Sequence, residues 1–594
     1  MKKLLIYLKP YKKECICAPL FKMLEATFEL FVPLVIAAII DAGIGNRDNG
    51  YIIRMCLVLV ALGLIGVICA ITAQYFSARA AVGFASRLRH ALFAHLQGLS
   101  YTEIDQLGTS TMITRMTSDV NQAQSGVNMT LRLFLRSPFI VLGAMVMAFT
   151  IDFQAALIFA AVIAALSVIV FVLMRISVPL MRQVQQRLDG ILGITRENLT
   201  GVRVIRAFGQ EEHEWKEFEE RNSLFTSVQK KAGKVSSLMN PMTYVVINGA
   251  IIWLIWTGAL RVNTGALTQG QVVALYNYMS QILVELIKFA NLLVTINKAI
   301  ACGNRIAGVF DVTSSMAEGT VEKVQWESVS EKETVDKGTV DKGAGTNSVP
   351  AVSFQHVSLT YPGSQDTSLE NIDFTAAQGS VTGIIGGTGS GKTSLVNLIP
   401  RFYEATEGSV QVNGLDVREY RYHALRGCIG VVPQKAVLFH GTIRDNLKYG
   451  CEDASDEQIM EALKVAQALD VVEKKGGLDA LIEQGGRNLS GGQRQRLTIA
   501  RALVSNPRIL ILDDSASALD YATDAALRES IRNLPDAPAV FIVSQRAASI
   551  RHADQIIVLD DGKTAGKGTH EELLKSCQVY QEIYYSQYPK EAQS

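Results

Sequence analysis

The sequence predicts two structural classes joined in one chain: a membrane α-helical bundle of six transmembrane helices with long cytoplasmic extensions, followed by an α/β P-loop domain. Three observations predict this. Six apolar runs of spanning length fill the first half, a polar tract with a tandem repeat interrupts the middle, and a glycine-rich loop lies between a strand pattern and a helix pattern in the second half.

The chain has 594 residues, more than one hydrophobic core supports, since domains usually run roughly 100 to 200 residues. Hydrophobic residues make up 48% and charged residues 19%, and the mean hydropathy is +0.20. Part of the chain therefore belongs in lipid. The net charge of +1 hides no basic block, which argues against a nucleic-acid partner. The eight cysteines are scattered without a C-x-x-C pair or a nearby histidine set, which argues against a disulfide framework or a zinc site. The N-terminus, MKKLLIYLKPYKKE, lacks the long apolar region and cleavage site of a secretory signal and reads as an interfacial lead-in helix.

The predicted spans lie at about 16–42, 53–77, 133–151, 154–178, 242–261 and 270–297, each near the ~20 residues that cross a bilayer. The connections at Gly43–Gly50, Ile151–Phe153 and Arg261–Gly270 carry few basic residues. Opposite them stand Arg79, Arg87, Arg89, Arg182, Arg203, Arg206, Lys230, Lys231 and Lys234. The positive-inside rule then places both termini in the cytoplasm, and a multi-pass protein of the cell membrane is the expectation. The two inner connections, roughly 55 and 65 residues long, read as helices continuing past the membrane, with turns at QLGTS and NLTG. The transmembrane domain is expected over 1–312.

Between 313 and 350 the composition turns polar, with the repeat TVDKG-TVDKG, and reads as a flexible linker. Beyond it, in 351–594, short β-branched runs (SVTGIIG, GCIGVVP, RILILDD, AVFIVS, QIIVLDDG) alternate with helical segments, the pattern of a mostly parallel sheet.

Gly386-Gly387-Thr388-Gly389-Ser390-Gly391-Lys392-Thr393 follows one such strand and precedes the helical run beginning at Ser394. That is the context of a nucleotide phosphate loop. Its glycines let backbone amides surround phosphate oxygens, Lys392 reaches the terminal phosphates, and the Thr393 hydroxyl can ligate Mg²⁺. Roughly 120 residues later the apolar strand Ile509–Leu512 ends in Asp513, placed to hold the same ion. Kinases, GTPases and ATPases all remain open on these motifs alone.

Leu489-Ser490-Gly491-Gly492-Gln493, between the two motifs, narrows the choice. With it the chain resembles, over essentially its whole length, the ABC transporter superfamily, in particular exporters whose six-helix domain precedes the nucleotide-binding domain. The resemblance implies ATP and Mg²⁺ as ligands. It implies that Tyr361 stacks on adenine, as a π-face suits a purine, that Gln434 touches the metal, and that Ser517-Ala518-Leu519-Asp520 is the D-loop. It also implies that Leu489–Gln493 contacts ATP held by a second ATPase domain, so a second half-transporter is an expected partner. Ser100–Asp105 with the following LGTSTMITRMTSDV, and ENLTGVRVIRAFGQEE around Phe208, resemble the family's two coupling helices.

Two residues depart from the family pattern. Asp514 stands where an active member has the glutamate that polarises water, and Gln545 replaces the switch histidine. Aspartate is one methylene, roughly 1.5 Å, shorter, and a misplacement on the order of 1 Å can cost about a hundredfold in rate. Glutamine cannot become the cation that stabilises developing charge. A smaller departure is Glu483–Asn488, where the family often has GERGVN. The pattern resembles the degenerate-site subunit of bacterial heterodimeric multidrug exporters, which implies an impaired ATP site of its own and amphipathic drugs or lipids as substrates. A homodimer with two slow sites and a nucleotide-sensing regulatory subunit are the alternatives. For substrate contacts, Glu25, Glu29 and Glu285 fall in or near spans, where ionisable groups face a cavity or a partner, or else mark helix ends at the water interface or ion pairs; both readings stand at this level.

Overall fold

The computed structural model describes residues 2–324, 326, 349–534 and 537–588. It divides into two compact units, Met1–Gln97 with Thr109–Val312, and Gly98–Gly108 with Thr313–Ser594.

The first unit is helical. A short 3₁₀ lead-in, Lys2–Tyr11, precedes α1 (Lys12–Ala38) and α2 (Asn49–Gln97). The short helix α3 (Tyr101–Leu107) belongs to the second unit. Then come α4 (Thr109–Thr114), α5 (Val120–Leu133), α6 (Arg136–Ile151), α7 (Phe153–Ala207), α8 (Glu211–Asn263) and α9 (Gln269–Phe310). Among the described residues, six helical stretches are long and apolar enough to cross a membrane. The tightest connection, between α6 and α7, is a single extended residue: Asp152 ends one helix and caps the next, its carboxylate accepting from Ala155 N at 2.8 Å. A Thr268–Gln271 capping box starts α9.

The core gathers Leu30 of α1, Ile140 and Ala144 of α6, Phe159 of α7 and Tyr278, Met279 and Ile282 of α9. Small residues allow close packing: a Cβ on Gly126 of α5 would lie 2.1 Å from Ala299 Cβ of α9. The opposite faces keep large apolar groups outward, among them Leu57, Leu64, Ile68 and Ile71 on α2 and Trp253 and Trp256 on α8, as lipid-facing surfaces do. The expected turn at QLGTS exists, with Gly108 at φ +73°. The turn expected at NLTG does not, because α7 runs unbroken through Gly201 to Ala207. A lone glycine in a long helix costs only about 1 kcal/mol, and the chain reverses instead at Gly209, φ +63°.

In the second unit the strands are β1 (Val352–Leu359), β2 (Leu369–Ala376), β3 (Val381–Gly386), β4 (Glu407–Val412), β5 (Leu415–Asp416), β6 (Ile429–Val432), β7 (Gly441–Thr442), β8 (Leu481–Ile482), β9 (Ile509–Asp513), β10 (Ala539–Val543), β11 (Gln555–Asp560) and β12 (Lys563–Gly568). The helices are α10 (Lys392–Leu398), α11 (Tyr422–Gly427), α12 (Ile443–Lys448), α13 (Asp456–Val465), α14 (Leu469–Lys475), α15 (Gly491–Leu503), α16 (Tyr521–Arg532), α17 (Ala547–Ile550), α18 (His570–Ser576) and α19 (Gln578–Gln587). A six-stranded sheet has the order β12-β11-β3-β10-β9-β6, parallel except for its edge strand β12. An antiparallel sheet, β2-β1-β4-β5, packs beside it through Phe354, Phe374 and Phe541. Both faces of β9 and β10 are buried, so they read as unbroken apolar runs rather than alternating ones.

Residues 313–324, the first part of the predicted linker, lie against this unit: Thr320 N and Val321 N both donate to Glu419 O, at 2.8 and 2.9 Å. Residues 325 and 327–348, with the tandem repeat, are outside the described residues.

Candidate functional site: a phosphate-loop pocket

In a parallel sheet the C-terminal ends of neighbouring strands share one edge, and ligands bind there. Here β3, β10 and β9 are adjacent, and all three end at the same pocket of about 240 Å³. From β3 come Thr388, Gly389, Gly391, Lys392, Thr393 and Ser394; from β9, Asp513 and Asp514; from β10, Val543, Ser544 and Gln545. Gln434, after β6, and Ser368 complete it.

The loop's shape demands glycine. Gly391 has φ +91°, and a Cβ there would lie 2.6 Å from Ser368 O, a conformation and an approach closed to other residues. Gly386 and Gly387 present carbonyls that accept from Lys392 Nζ, the former at 3.0 Å. Burial draws the Lys392 ammonium below its ordinary pKa, opposed by Asp514 and Asp513. A polyphosphate would supply the stronger anionic partner that this buried cation lacks.

Thr393 Oγ1 lies 3.0 and 3.2 Å from the two carboxylate oxygens of Asp513. Burial raises the Asp513 pKa against the Thr393 hydrogen bond. Among the described residues no group of three or more His, Cys, Asp or Glu side chains could hold a metal. One hydroxyl, one carboxylate and a nearby amide instead suit Mg²⁺, which keeps waters and completes its shell with phosphate oxygens. Thr393, Asp513 and Gln434 would hold it, and it would supply charge neutralisation at the phosphates.

Asp514 follows with φ +45°, its backbone pinned by Asp514 N to Val543 O at 2.9 Å and by Ser517 Oγ to Asp514 O at 2.9 Å. Burial raises its carboxyl pKa, while a hydrogen bond with Gln434 and the charges of Arg546 and Lys392 oppose that shift. Gln545 lines the same pocket.

Tyr361 sits beside the pocket, its hydroxyl donating to Ser394 Oγ at 3.0 Å. Leu489–Gln493 and Ser517–Asp520 do not line it. Ser490 caps α15, its Oγ accepting from Gln493 N while Gln493 Oε1 accepts from Ser490 N at 2.9 Å. A Cβ on Gly492 would meet Ala518 O at 3.1 Å, so this loop abuts the Ser517–Asp520 turn. Asp520 spends its carboxylate on the cap of α16, accepting from Thr523 N at 2.8 Å.

Two contacts had no signal in the sequence. The Gln587 side chain, at the end of α19, donates to Gln545 O at 2.7 Å and accepts from Ala547 N at 2.9 Å. One amide thereby clamps the loop that carries Gln545. Tyr403 stands edge-on to Tyr361, ring centroids 5.0 Å apart, and donates to Asp105 of α3 at 2.7 Å. Burial, then Asp105, drives its phenol pKa upward. Neither follows from periodicity, since both join segments far apart in the chain.

Residues 15–286 match the family model for the ABC transporter transmembrane region, and 369–517 match the one for ABC transporter. An uncharacterized ABC transporter ATP-binding protein of Mycobacterium tuberculosis is 36% identical over 586 residues, covering 98% of this chain and 97% of its own. One from Bacillus subtilis is 34% identical, covering 100% and 99%. The ATP-dependent lipid A-core flippase of Salmonella typhimurium is 27% identical, covering 98% and 96%. The structure of a bacterial Atm1-family ABC exporter with ATP bound superposes with a TM-score of 0.78 at 22% identity, covering 98% of this chain and 99% of that one. The fused membrane and ATPase regions, the pocket at the sheet edge and these relatives together establish that this chain belongs to the ABC transporter family and has the fold of its exporters.

Proposed function

We propose that this chain is one half of an ATP-driven exporter of the cell membrane, paired with an unlike second half and moving amphipathic drugs or lipids outward by alternating access. One observation carries the reading: Asp514 and Gln545 line the same pocket as Lys392, Thr393 and Asp513. ATP and Mg²⁺ binding needs the last three, whereas hydrolysis needs a base and a switch residue at the first two positions. The binding set is whole and the hydrolytic set is weakened. Ser490–Gln493 lies outside the chain's own pocket, where it is free to complete a partner's. A lipid substrate gains support from the flippase among the relatives.

The test is ATPase turnover of the purified chain alone and with a Glu-bearing half-transporter. Turnover of the mixture should exceed the chain alone by at least about tenfold, following the misplacement argument. Equal turnover per ATP site would support the homodimer with two slow sites and overturn the unlike pairing.

A further inference from the structure

Six ionisable side chains of the first unit meet in one network. Lys22, Glu25 and Glu29 come from α1, Arg136 from α6, and Glu285 and Lys288 from α9. Arg136, only 7% exposed, is the hub. Its Nη1 donates to Glu285 Oε1 at 2.6 Å and its Nη2 to Glu29 Oε2 at 2.7 Å, with Glu25 Oε1 4.0 Å from Nε. Lys22 pairs with Glu25 at 2.6 Å and Lys288 with Glu285 at 2.9 Å, while Ser137 Oγ donates to the second Glu285 oxygen at 2.9 Å. Three cations and three anions cancel. The two readings the sequence left open for these glutamates therefore meet: they pair, and the paired set borders a cavity.

Burying so many charges in a span is costly, and a purely structural contact is made as well by apolar residues. The network instead opens on a cavity of about 320 Å³ between α1 and α9. Its charged members differ in access. Arg136 and Glu285 keep only 8% and 4% of their side chains exposed, whereas Glu29 keeps 40% and Lys288 46%; Glu29, Lys288 and the edge of Glu285 line the cavity, and Arg136 lies behind them. Gln281, also lining it, has a buried Oε1 without a hydrogen-bond partner. Val32, Ile36 and Val284 give an aliphatic wall. The cavity thus presents the exposed side of one carboxylate, paired behind with Arg136, the exposed side of one ammonium, paired with Glu285, and an apolar wall. A singly charged ligand meets one group of its own sign here; a ligand with both charges meets neither unpaired. The volume lies at the low end for ligand pockets, ~300 to 1,000 Å³, room for a headgroup rather than a whole lipid.

Resting on the exporter reading above, we propose that this cavity is a subsite for the headgroup of zwitterionic amphiphiles, with Glu29 facing the cationic group and Lys288 the anionic one. Equilibrium binding tests it. The full-length chain, with its partner half where assembly requires one, is titrated in uncharged maltoside micelles. The probes are lysophosphatidylethanolamine, an alkyl ammonium and an alkyl phosphate of matched chain length, and soluble glycerophosphoethanolamine. Binding is read by intrinsic tryptophan fluorescence without ATP. The zwitterion should bind at least about tenfold tighter than either singly charged amphiphile. Glu29→Gln should narrow that gap selectively for the phosphate, and Lys288→Gln selectively for the ammonium. An unranked set in the unmodified chain, or identical shifts in both variants, overturns the proposal. So does soluble headgroup binding as tight as the amphiphile. The unmodified ranking decides the matter even where a variant fails to fold. ATP-dependent movement of the bound lipid is scored separately, so failure of the exporter reading and failure of the subsite are distinct results.

Discussion

On the proposed reading of the site, adding one methylene at position 514 should raise hydrolysis. Asp514 is held by its amide on Val543 O and its carbonyl under Ser517 Oγ, each at 2.9 Å, so a longer side chain extends the carboxylate into the pocket instead of shifting the backbone. Asp514→Glu moves the carboxylate by roughly 1.5 Å, a distance on the scale at which misplacement costs about a hundredfold. A hundredfold is about 2.7 kcal/mol of barrier. The replacement has a small cost, because φ is +45° there and Asp adopts the left-handed region more readily than Glu. Turnover of the purified variant, with ATP affinity measured by a fluorescent nucleotide, should show a gain of one to two orders of magnitude at nearly constant affinity. Adding Gln545→His should raise it further. A gain below about threefold with intact ATP binding would refute the geometric account of the weakened site.

Further predictions follow the same geometry. Gln587→Ala deletes both hydrogen bonds to the Gln545 loop, worth about 0.5 to 1.5 kcal/mol each. Hydrogen exchange at Gln545–Ile550 should accelerate severalfold while global melting changes little, and unchanged exchange would remove Gln587 from the site. Tyr403→Phe keeps the ring against Tyr361 but loses the bond to Asp105, about 1.5 to 3 kcal/mol for a charged acceptor. It should lower substrate stimulation of the ATPase and leave ATP affinity within about twofold; a large affinity loss would contradict it. Lys392→Ala should abolish fluorescent-nucleotide binding without lowering the melting temperature. In α3, burial alone would raise the Glu103 pKa, but hydrogen bonds from Ser100 and Ser315 overcome it and hold the carboxyl low. Its contribution to stability is therefore present above the ordinary glutamate pKa of about 4.3 and lost as pH falls through the lower folded value. Melting between pH 6 and 3 should drop less steeply for Glu103→Gln than for the unmodified chain.

The six apolar runs and their order were legible because lipid demands ~20 consecutive apolar residues and satisfied backbone groups, a signal that is local along the chain. The phosphate loop was legible for a similar reason: Gly391 must take φ +91° and Lys392 must follow it, so function is written in adjacent residues. The turn at NLTG was misread because a glycine tolerated in a helix and a glycine that ends one look alike in sequence. Only the reversal at Gly209 tells them apart.

By itself, the sequence determined the six apolar helices, the α/β class of the second half, the parallel sheet and the glycine-rich loop, all properties of pattern and spacing over short windows. Tertiary structure alone decided that β3, β9 and β10 deliver the pocket residues to one edge. It also decided that Gln587 clamps Gln545, that Tyr403 ties Asp105 to Tyr361, and that Arg136 gathers Glu29 and Glu285 around a cavity. These pairings join residues 42 to 298 positions apart in sequence, and no local preference encodes which distant side chains meet; packing of whole elements does.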